Sequence, residues 1–538
     1  MNGKVRKLQS QELVLPELAI WNAYFLIKLV LYFQGKMQFH VVENIAFAIF
    51  LLLPVSLPVL RVARQISAVI FALWLIHLDS NLPPLERLFA QLEQLSHFES
   101  DYLVELAWRF VPDINPLIAV VGIAVYVIAN RYFRLTSFVL LALFAASLHS
   151  LSPQPTAPIA SLPADGRSEH KAQASGSPQG DEALNNYLSS FFSREARRQV
   201  RFPPLAQERQ AFDVIFLSVC SLSWDDLDVV EQRQHPLLQR FDFVFEQFNS
   251  ATSYSGPAVL RLSRASCGQL PHSGLYEETS DQCLLMTQFT QQGYDHALLM
   301  NHDGHFDNFL ESTRQLGHVD AELFPLAGIP QAQKAFDGSP IYSDLAVLEN
   351  WWQQRLQSPS PSTVALYNTT SLHDGNRLLD SRENLRGAQS YKRRMDRLFG
   401  DISRFLDRLQ QSGKNVVVVL VPEHGAGLRG DAMQIPGMRE IPTPAITKVP
   451  VAIKLIGPNL ERQGPAARIT QPSSYQAIGQ LLADFMAADI FASKQFSTSD
   501  WLSTLPRTEP VSQNDGSTML SIDGESYLSL DGSSWTRY

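Results

Sequence analysis

Four residues able to hold a metal and activate a hydroxyl stand where apolar runs of this chain end. The stretch Val416–Gly427, VVVVLVPEHGAG, passes from an unbroken Val/Leu segment straight into Glu423-His424 and a glycine-rich turn. A β-branched run of this length reads as a strand buried on both faces, as in a parallel sheet. Ligands of such sheets bind at the carboxyl ends of the strands, where this carboxylate and imidazole fall. Cys220 ends a second run, FDVIFLSVC, and reaches the same edge if the two strands are parallel. Ser255, in NSATSYSGPAVLRL, follows the run FDFVFEQF and precedes a helical pattern with Pro257 near its start. A hydroxyl there lies at a helix N-terminus, whose backbone N–H groups favour a phosphoryl group. Singly, each has a plainer reading: the thiol a small hydrophobe, the serine a cap, Glu-His a solvated loop. Together, Cys220, Ser255, Glu423 and His424 offer S, O, O and N donors to a tetrahedral zinc ion. Zinc would lower the pKa of the serine enough to make it a nucleophile at neutral pH.

The elements that must position these residues alternate. Strands are expected at Phe212–Val219, Phe241–Phe248, Tyr294–Met300, Thr363–Tyr367, Val416–Val421 and Val451–Ile456, and helices at Gly256–Arg264, Gln282–Gln292, Asp344–Gln357, Ser390–Gln411 and Ser474–Ala487. That alternation predicts a mainly parallel sheet with helices on both faces. Thr518–Tyr538 reads as short strands or a hairpin around Asp531-Gly532.

Ahead of this α/β domain, residues 1–150 hold most of the long apolar runs. They read as five membrane-spanning helices near Leu15–Phe33, Phe39–Leu60, Ile66–Leu82, Pro116–Asn130 and Leu135–Ser150. Lys4, Arg6 and Lys7, then Arg61 and Arg64, then Arg131 and Arg134 fall on one side if there are five crossings. The positive-inside rule makes that side cytoplasmic and puts the C-terminal part outside. The segment Pro83–Asn115 reads as an external loop with an amphipathic helix at the membrane interface. Residues 151–181, rich in Pro, Ser, Gly and Ala, read as a flexible linker, and residues 182–538 as the outer domain.

A net charge of −9 without a Lys/Arg-rich tract excludes a nucleic-acid surface, and Lys392, Arg393 and Arg394 read as a solvated helix face. Of three cysteines, Cys267 and Cys283 close a short, polar, turn-rich loop suited to a disulfide in an oxidising compartment. Cys220 is left over, and binding a metal would protect it. His373, after the strand TVALYN, belongs to the same sheet edge and suits proton transfer to the leaving group and from the acceptor. Tyr254, beside Ser255, could reach a phosphate oxygen or staple the helix start. His302, Asp303 and His305 in NHDGHFD read as a polar rim rather than a second metal site. Asp225 and Asp226 read as helix caps, and Trp351 and Trp352 as core.

The set Cys220, Ser255, Glu423 and His424, with SYSGPA, LYNTTSLHDGN, VPEHGAG and GMREIPTPAITKVPV, resembles the alkaline phosphatase superfamily. Within it the chain is similar to the membrane-anchored phosphoethanolamine transferases, whose five N-terminal helices carry a periplasmic zinc-dependent domain. Where those have Asp-His-Gly this chain has Glu423-His424-Gly425; where they have an acidic ligand and a threonine nucleophile it has Cys220 and Ser255. These departures resemble the BcsG family of bacterial cellulose synthesis. The resemblance implies zinc-dependent transfer of phosphoethanolamine from phosphatidylethanolamine to glucose 6-hydroxyls of cellulose, through a covalent adduct on Ser255. It implies a multi-pass inner-membrane protein with a cytoplasmic N-terminus, a periplasmic catalytic domain and cellulose synthase complex subunits as partners. It also implies that Arg439, in GMREIP, binds phosphate oxygens with its planar fork. A sulfatase needs x-Pro-x-Arg after its Cys or Ser; here Ser255-Gly256-Pro257-Ala258 is followed by Val259, with arginine only at Arg261. A glycerol-phosphate transferase, a phosphodiesterase and a non-catalytic scaffold of the synthase complex remain the competing readings.

Overall fold

The computed structural model describes residues 18, 20–33, 37, 39–55, 57–79, 98–109, 116–151, 180–204, 209–380, 385–431 and 433–538. It forms two compact units, Met1–Gln91 with Phe110–Gln173, and Leu92–Arg109 with Ala174–Tyr538. Nearly all of the expected linker 151–181 lies outside the described residues.

The first six helices are α1 (Trp21–Phe33), α2 (Val41–Leu52), α3 (Pro58–Asp79), α4 (Ser100–Arg109), α5 (Pro116–Tyr132) and α6 (Leu135–Leu151), with α4 in the second unit. Each of the five expected spans coincides with an apolar helix, but the count of five crossings is not confirmed. Among the described residues only α3, with 22 residues, is long and apolar enough to cross a bilayer; Ala124–Tyr132 and Leu135–Ala146 pass together as a pair bent by 101°. At 1.5 Å per residue, α1 and α2 rise only about 20 and 18 Å, against roughly 30 Å of hydrocarbon. The expected second span breaks at Leu53-Pro54, because proline cannot donate to the helix, and Pro58 starts the next helix. Arg61 and Arg64, expected in a link, therefore lie in the first two turns of α3.

The second unit is built on a seven-stranded sheet. Its strands are β1 (Asp213–Cys220), β2 (Phe243–Phe245), β3 (Asp295–Met300), β4 (Thr363–Thr369), β5 (Val416–His424), β6 (Ala452–Ile456) and β7 (Ala467–Ile469), in the order β7-β2-β6-β5-β1-β4-β3. Only β6 runs against the rest, pairing antiparallel with both β5 and β2. The sheet is thus mixed, and mainly parallel as expected. In β5 the side chains alternate between two buried layers: Val417, Val419 and Val421 enter one, Val416, Val418 and Leu420 the other. This explains why the run is apolar at every position rather than at every second one. Later helices include α7 (Asp181–Glu195), α8 (Trp224–Val229), α9 (Ser255–Ser263), α10 (Asp344–Gln357), α11 (Gly387–Gln411) and α12 (Tyr475–Ala487). Val259, Leu260, Ile478 and Leu481 of α9 and α12 fill the first layer; Trp351, Trp352, Leu398 and Phe405 of α10 and α11 fill the second.

The C-terminus forms a four-stranded antiparallel sheet, Val511–Asn514, Ser517–Ile522, Glu525–Ser529 and Thr536–Arg537. Its first two turns are Asp515-Gly516 and Asp523-Gly524; the expected Asp531-Gly532 lies in the third connection. Leu184 and Phe191 of α7 pack on this sheet. Cys267 and Cys283 form the expected disulfide, and Cys220 is free and buried.

Candidate metal and nucleophile site

Strand alternation alone would send Glu423 and His424 to opposite faces. A register shift prevents this: Val219 pairs with Pro422 but Cys220 pairs with His424, so two residues of β5 oppose one of β1. The bulge turns the strand ends toward each other. The ligand atoms of Cys220, Glu423 and His424 then lie within 4.8 Å of one another, all buried, the single such group of metal-binding side chains among the described residues.

Ser255 begins α9, with Tyr254 as the preceding cap residue. Its Oγ lies 3.4 Å from Cys220 Sγ and 3.3 Å from His424 Nε2, and Cys220 Sγ is 3.7 Å from that nitrogen. Around zinc, bonds of about 2.0–2.3 Å place tetrahedral donors roughly 3.3–3.7 Å apart, so this spacing matches. His424 Nδ1 is 2.9 Å from the Gly425 carbonyl oxygen, which fixes the ring and leaves Nε2 as the donor atom. Glu423 Oε1 accepts from Ser218 Oγ (2.9 Å) and from the Asn368 amide, whereas the buried Oε2 accepts no hydrogen bond. A buried carboxylate oxygen without a partner costs about 1–3 kcal/mol or more. A cation among these donors removes that cost.

The electrostatics agree. Burial, and then Glu423, push the Cys220 thiol up to about 11. Burial raises the Glu423 carboxyl, and burial with Arg439 holds His424 well below the usual imidazole range. Burial thus disfavours the charged form of each group, and a positive charge placed among them would favour the thiolate and the carboxylate. The donor set and the orphaned oxygen fit a Zn2+ ion.

Arg439 stands over this group. Its Nη1 donates to Ser221 Oγ at 3.2 Å and is 3.2 Å from His424 Nδ1; Nη2 is 3.5 Å from His373 Nε2. No carboxylate pairs with Arg439 among the described residues. The neighbouring backbone is clamped by Ser253, which donates to the Arg439 carbonyl, and by Asn514 Nδ2, 2.9 Å from the Glu440 carbonyl oxygen. His373 Nδ1 is 2.8 Å from the Asp374 carbonyl oxygen, and its ring stacks on Phe336 at 4.7 Å. Burial, then Arg439, press its pKa down to about 4, so it is neutral at neutral pH. The Tyr254 hydroxyl donates to Glu440 Oε1 at 2.7 Å.

Sequence reasoning missed the supports. Asn368, at the end of β4, joins Glu423 to His302 Nε2 (2.8 Å). The NHDGHFD histidine therefore backs the site from behind. Ser221 links Cys220 Sγ (3.2 Å) to Arg439. Arg394 is not on a solvated face: it is buried and donates to the Ser371 and His373 carbonyls at 2.8 and 2.9 Å. Asp226 completes a capping box with Ser223, as expected of a cap, and also accepts from the Ala426 N–H at 2.7 Å, holding the turn after His424. A Cβ on Gly425 would fall 2.5 Å from Ser223 Oγ, so only glycine fits there. Only Asn368, a polar residue closing an apolar strand at the site's edge, carried a readable signal.

Two family models cover the chain: "Cellulose biosynthesis protein BcsG N-terminal domain" matches residues 21–148 and "Cellulose biosynthesis protein BcsG C-terminal domain" residues 168–535. Proteins named cellulose biosynthesis protein BcsG from Escherichia coli (strain K12) and Salmonella typhimurium (strain LT2) are each 35% identical over 542 residues, covering 96% of this chain and 96% of theirs. Among solved structures the chain is similar to a protein in the alkaline phosphatase superfamily from Vibrio parahaemolyticus, at 12% identity and a TM-score of 0.48, covering 66% of this chain and 87% of that one. Matched along both halves, the chain belongs to the BcsG family of cellulose biosynthesis proteins.

Proposed function

We propose that this protein is a phosphoethanolamine transferase that moves phosphoethanolamine from phosphatidylethanolamine to glucose 6-hydroxyls of cellulose. The observation that carries the reading is the meeting of Cys220, Glu423 and His424 around the Ser255 hydroxyl at tetrahedral donor spacing. Cys220, Glu423, His424 and Ser255 Oγ would hold the zinc, which supplies a lowered serine pKa and a positive charge facing the phosphate. Ser255 Oγ attacks the lipid phosphorus, the P–O bond to diacylglycerol breaks, and the phosphoethanolamine group stays on Ser255. A sugar hydroxyl then attacks the same phosphorus and the P–O bond to Ser255 breaks, restoring the serine. Arg439, with no carboxylate partner among the described residues, binds the phosphate oxygens and offsets their charge as it builds. The phosphate anion of the bound donor offsets Arg439 and raises the His373 pKa so that its Nε2 holds a proton. His373 gives that proton to the leaving diacylglycerol oxygen and, now neutral, takes the proton of the acceptor hydroxyl in the second step. Tyr254 is proposed as a further phosphate contact, exchanging Glu440 for a phosphate oxygen.

The proposed arrangement is a multi-pass inner-membrane protein with its N-terminus in the cytoplasm and its catalytic domain in the periplasm, working with cellulose synthase complex subunits. The disulfide suits an oxidising compartment, and a tethered site raises the effective concentration of a lipid donor. The names of the relatives supply cellulose biosynthesis as the process. The test is mass spectrometry of the protein after exposure to phosphatidylethanolamine. A phosphoethanolamine adduct on Ser255 is expected. An adduct only from a glycerol-phosphate donor favours that transferase, and no adduct from any donor favours a scaffold.

A further inference from the structure

Helix α4 lies in sequence between the apolar helices α3 and α5, yet it belongs to the unit that carries the sheet. The helix is keyed into the loop that holds His373. Tyr102 is buried with Ala335, Phe336 and Ile341, and Phe98 and Leu106 pack against them. Phe98 and Tyr102 meet the Phe336 ring at 4.9 and 6.0 Å, and Phe336 is the ring on which His373 stacks. The Tyr102 hydroxyl donates to Asp374 Oδ2 at 2.9 Å, while the backbone carbonyl of Asp374 engages His373 Nδ1. The buried Glu105 pairs with Arg377, which donates to the Gly375 carbonyl at 3.1 Å, and lies 3.9 Å from Arg386 Nε. The Glu99 N–H donates to the Phe336 carbonyl at 3.0 Å, and its carboxylate pairs with Lys334. Gly375, at φ +82°, leaves no room for more: a Cβ there would fall 2.7 Å from both the Tyr102 ring and Phe336 Cβ.

We infer that α4 is a clamp that sets the position of the His373 imidazole, with Tyr102 and Glu105 as positioning residues; this rests on the acid/base role of His373 proposed above. One side of the imidazole is fixed by Phe336 and its Nδ1 by Asp374, and both of those groups are held by α4. Proton transfer needs the base within hydrogen-bond reach of the acceptor hydroxyl, and a misplacement near 1 Å costs up to about a hundredfold in rate. Donor binding, by contrast, falls to Arg439 and the Ser255 region. Loosening the clamp should therefore lower kcat and leave KM alone.

The test uses the full chain in phosphatidylethanolamine vesicles with a cello-oligosaccharide acceptor. Tyr102→Phe keeps the ring packing and removes the bond to Asp374; Glu105→Gln removes the charge facing Arg377. Each should lower kcat about tenfold with KM for the lipid within twofold. Tyr102→Phe should add no further loss in a His373→Gln background, because the residue acts through His373. The exchanged pair Glu105→Arg with Arg377→Glu should recover most of the rate. An undiminished kcat in both single variants overturns the clamp, as does the same tenfold loss on top of His373→Gln. If His373→Gln itself costs nothing, the acid/base reading falls and takes the clamp with it; if it costs activity while Tyr102→Phe does not, the clamp alone falls.

Discussion

Asp79 in the helical unit and Glu423 in the sheet domain are carboxylates buried to the same depth, with 0% and 2% of their surface exposed. Their surroundings are opposite. Asp79 Oδ2 meets Lys28 Nζ at 2.5 Å and Asn44 Nδ2 at 2.7 Å, while Oδ1 accepts from the His40 N–H at 2.9 Å. Lys28 is held in turn by Asn44 Oδ1 at 2.8 Å. The charge is cancelled from within, and the group ties α1, α2 and α3 together. Glu423 uses one oxygen on neutral donors and leaves the other without a partner, beside a thiol, an imidazole and a hydroxyl. A buried charge whose valences are filled by its neighbours holds a fold together. One with a free oxygen and further donors around it is built for a cation that arrives.

That contrast breaks if the two carboxylates respond alike to loss of charge or partner. Glu423→Gln keeps the size of the side chain and an oxygen for Ser218 and Asn368, but removes the ligand charge. Zinc per purified molecule should fall far below that of wild type and transfer should drop on the order of 10³-fold, with little change in folding. Metal analysis beside a turnover assay decides it, and full zinc with full turnover would falsify the assignment. In the helical unit the expected effect is on stability. Lys28→Met takes the lysine cation from buried Asp79 and leaves it only the His40 ring, 2.7 Å from Oδ1, and should cost about 3 kcal/mol; Lys28→Met with Asp79→Leu should recover most of it. Thermal unfolding of the detergent-solubilised chain reads this out, and adduct formation on Ser255 per folded molecule should not change.

The same contrast explains what the sequence made legible. Cys220, Glu423 and His424 were readable because two largely apolar runs mark strands, and strand ends define an edge. The bulge that faces them together depends on how β1 pairs with β5, which neither segment encodes alone. Helix α10 has the limits read for it because Ser343 caps it and a Ser-Pro-Ser-Pro stretch follows. The second N-terminal span reads longer than its helix because hydropathy sums over Pro54 and Pro58, while the backbone breaks at Leu53-Pro54. An amphipathic segment such as α4 carries an apolar stripe that suits a lipid surface or a protein groove equally. The side chains it meets, Phe336 and Asp374, lie far along the chain and are not encoded in the segment itself. Arg394 was misread for a similar reason: three basic residues in a row cannot all face solvent on a helix, and the sequence does not say which one turns inward.

Arg439 sharpens the comparison from the cation side. If it awaits an anion, Arg439→Lys should lose the fork that spans Ser221 and the two imidazoles while keeping a positive charge. Turnover should fall about ten- to a hundredfold with zinc content intact, separating this variant from Glu423→Gln. Wild-type turnover in the lysine variant would make Arg439 a plain surface cation.

Asp226 is a third kind of buried carboxylate, satisfied by neutral donors alone: Ser223 N and Oγ at 2.9 Å, Ala426 N at 2.7 Å and Leu428 N at 3.3 Å. With no cation beside it, burial outweighs those bonds and lifts its pKa from 3.8 to about 6. The folded chain then holds this proton more tightly than the unfolded chain does. Its contribution to stability is fully present below about pH 3.8 and is lost as pH rises through 6, the reverse of a salt-bridged aspartate. Asp226→Asn, which cannot ionise, should remove that dependence. The wild-type chain should gain on the order of 2 kcal/mol over the variant between pH 7 and pH 4, read as the difference between their unfolding curves at the two pH values. A difference that stays constant across that range would show that Asp226 keeps its charge when folded, and that neutral donors alone can serve a buried carboxylate as well as Lys28 serves Asp79.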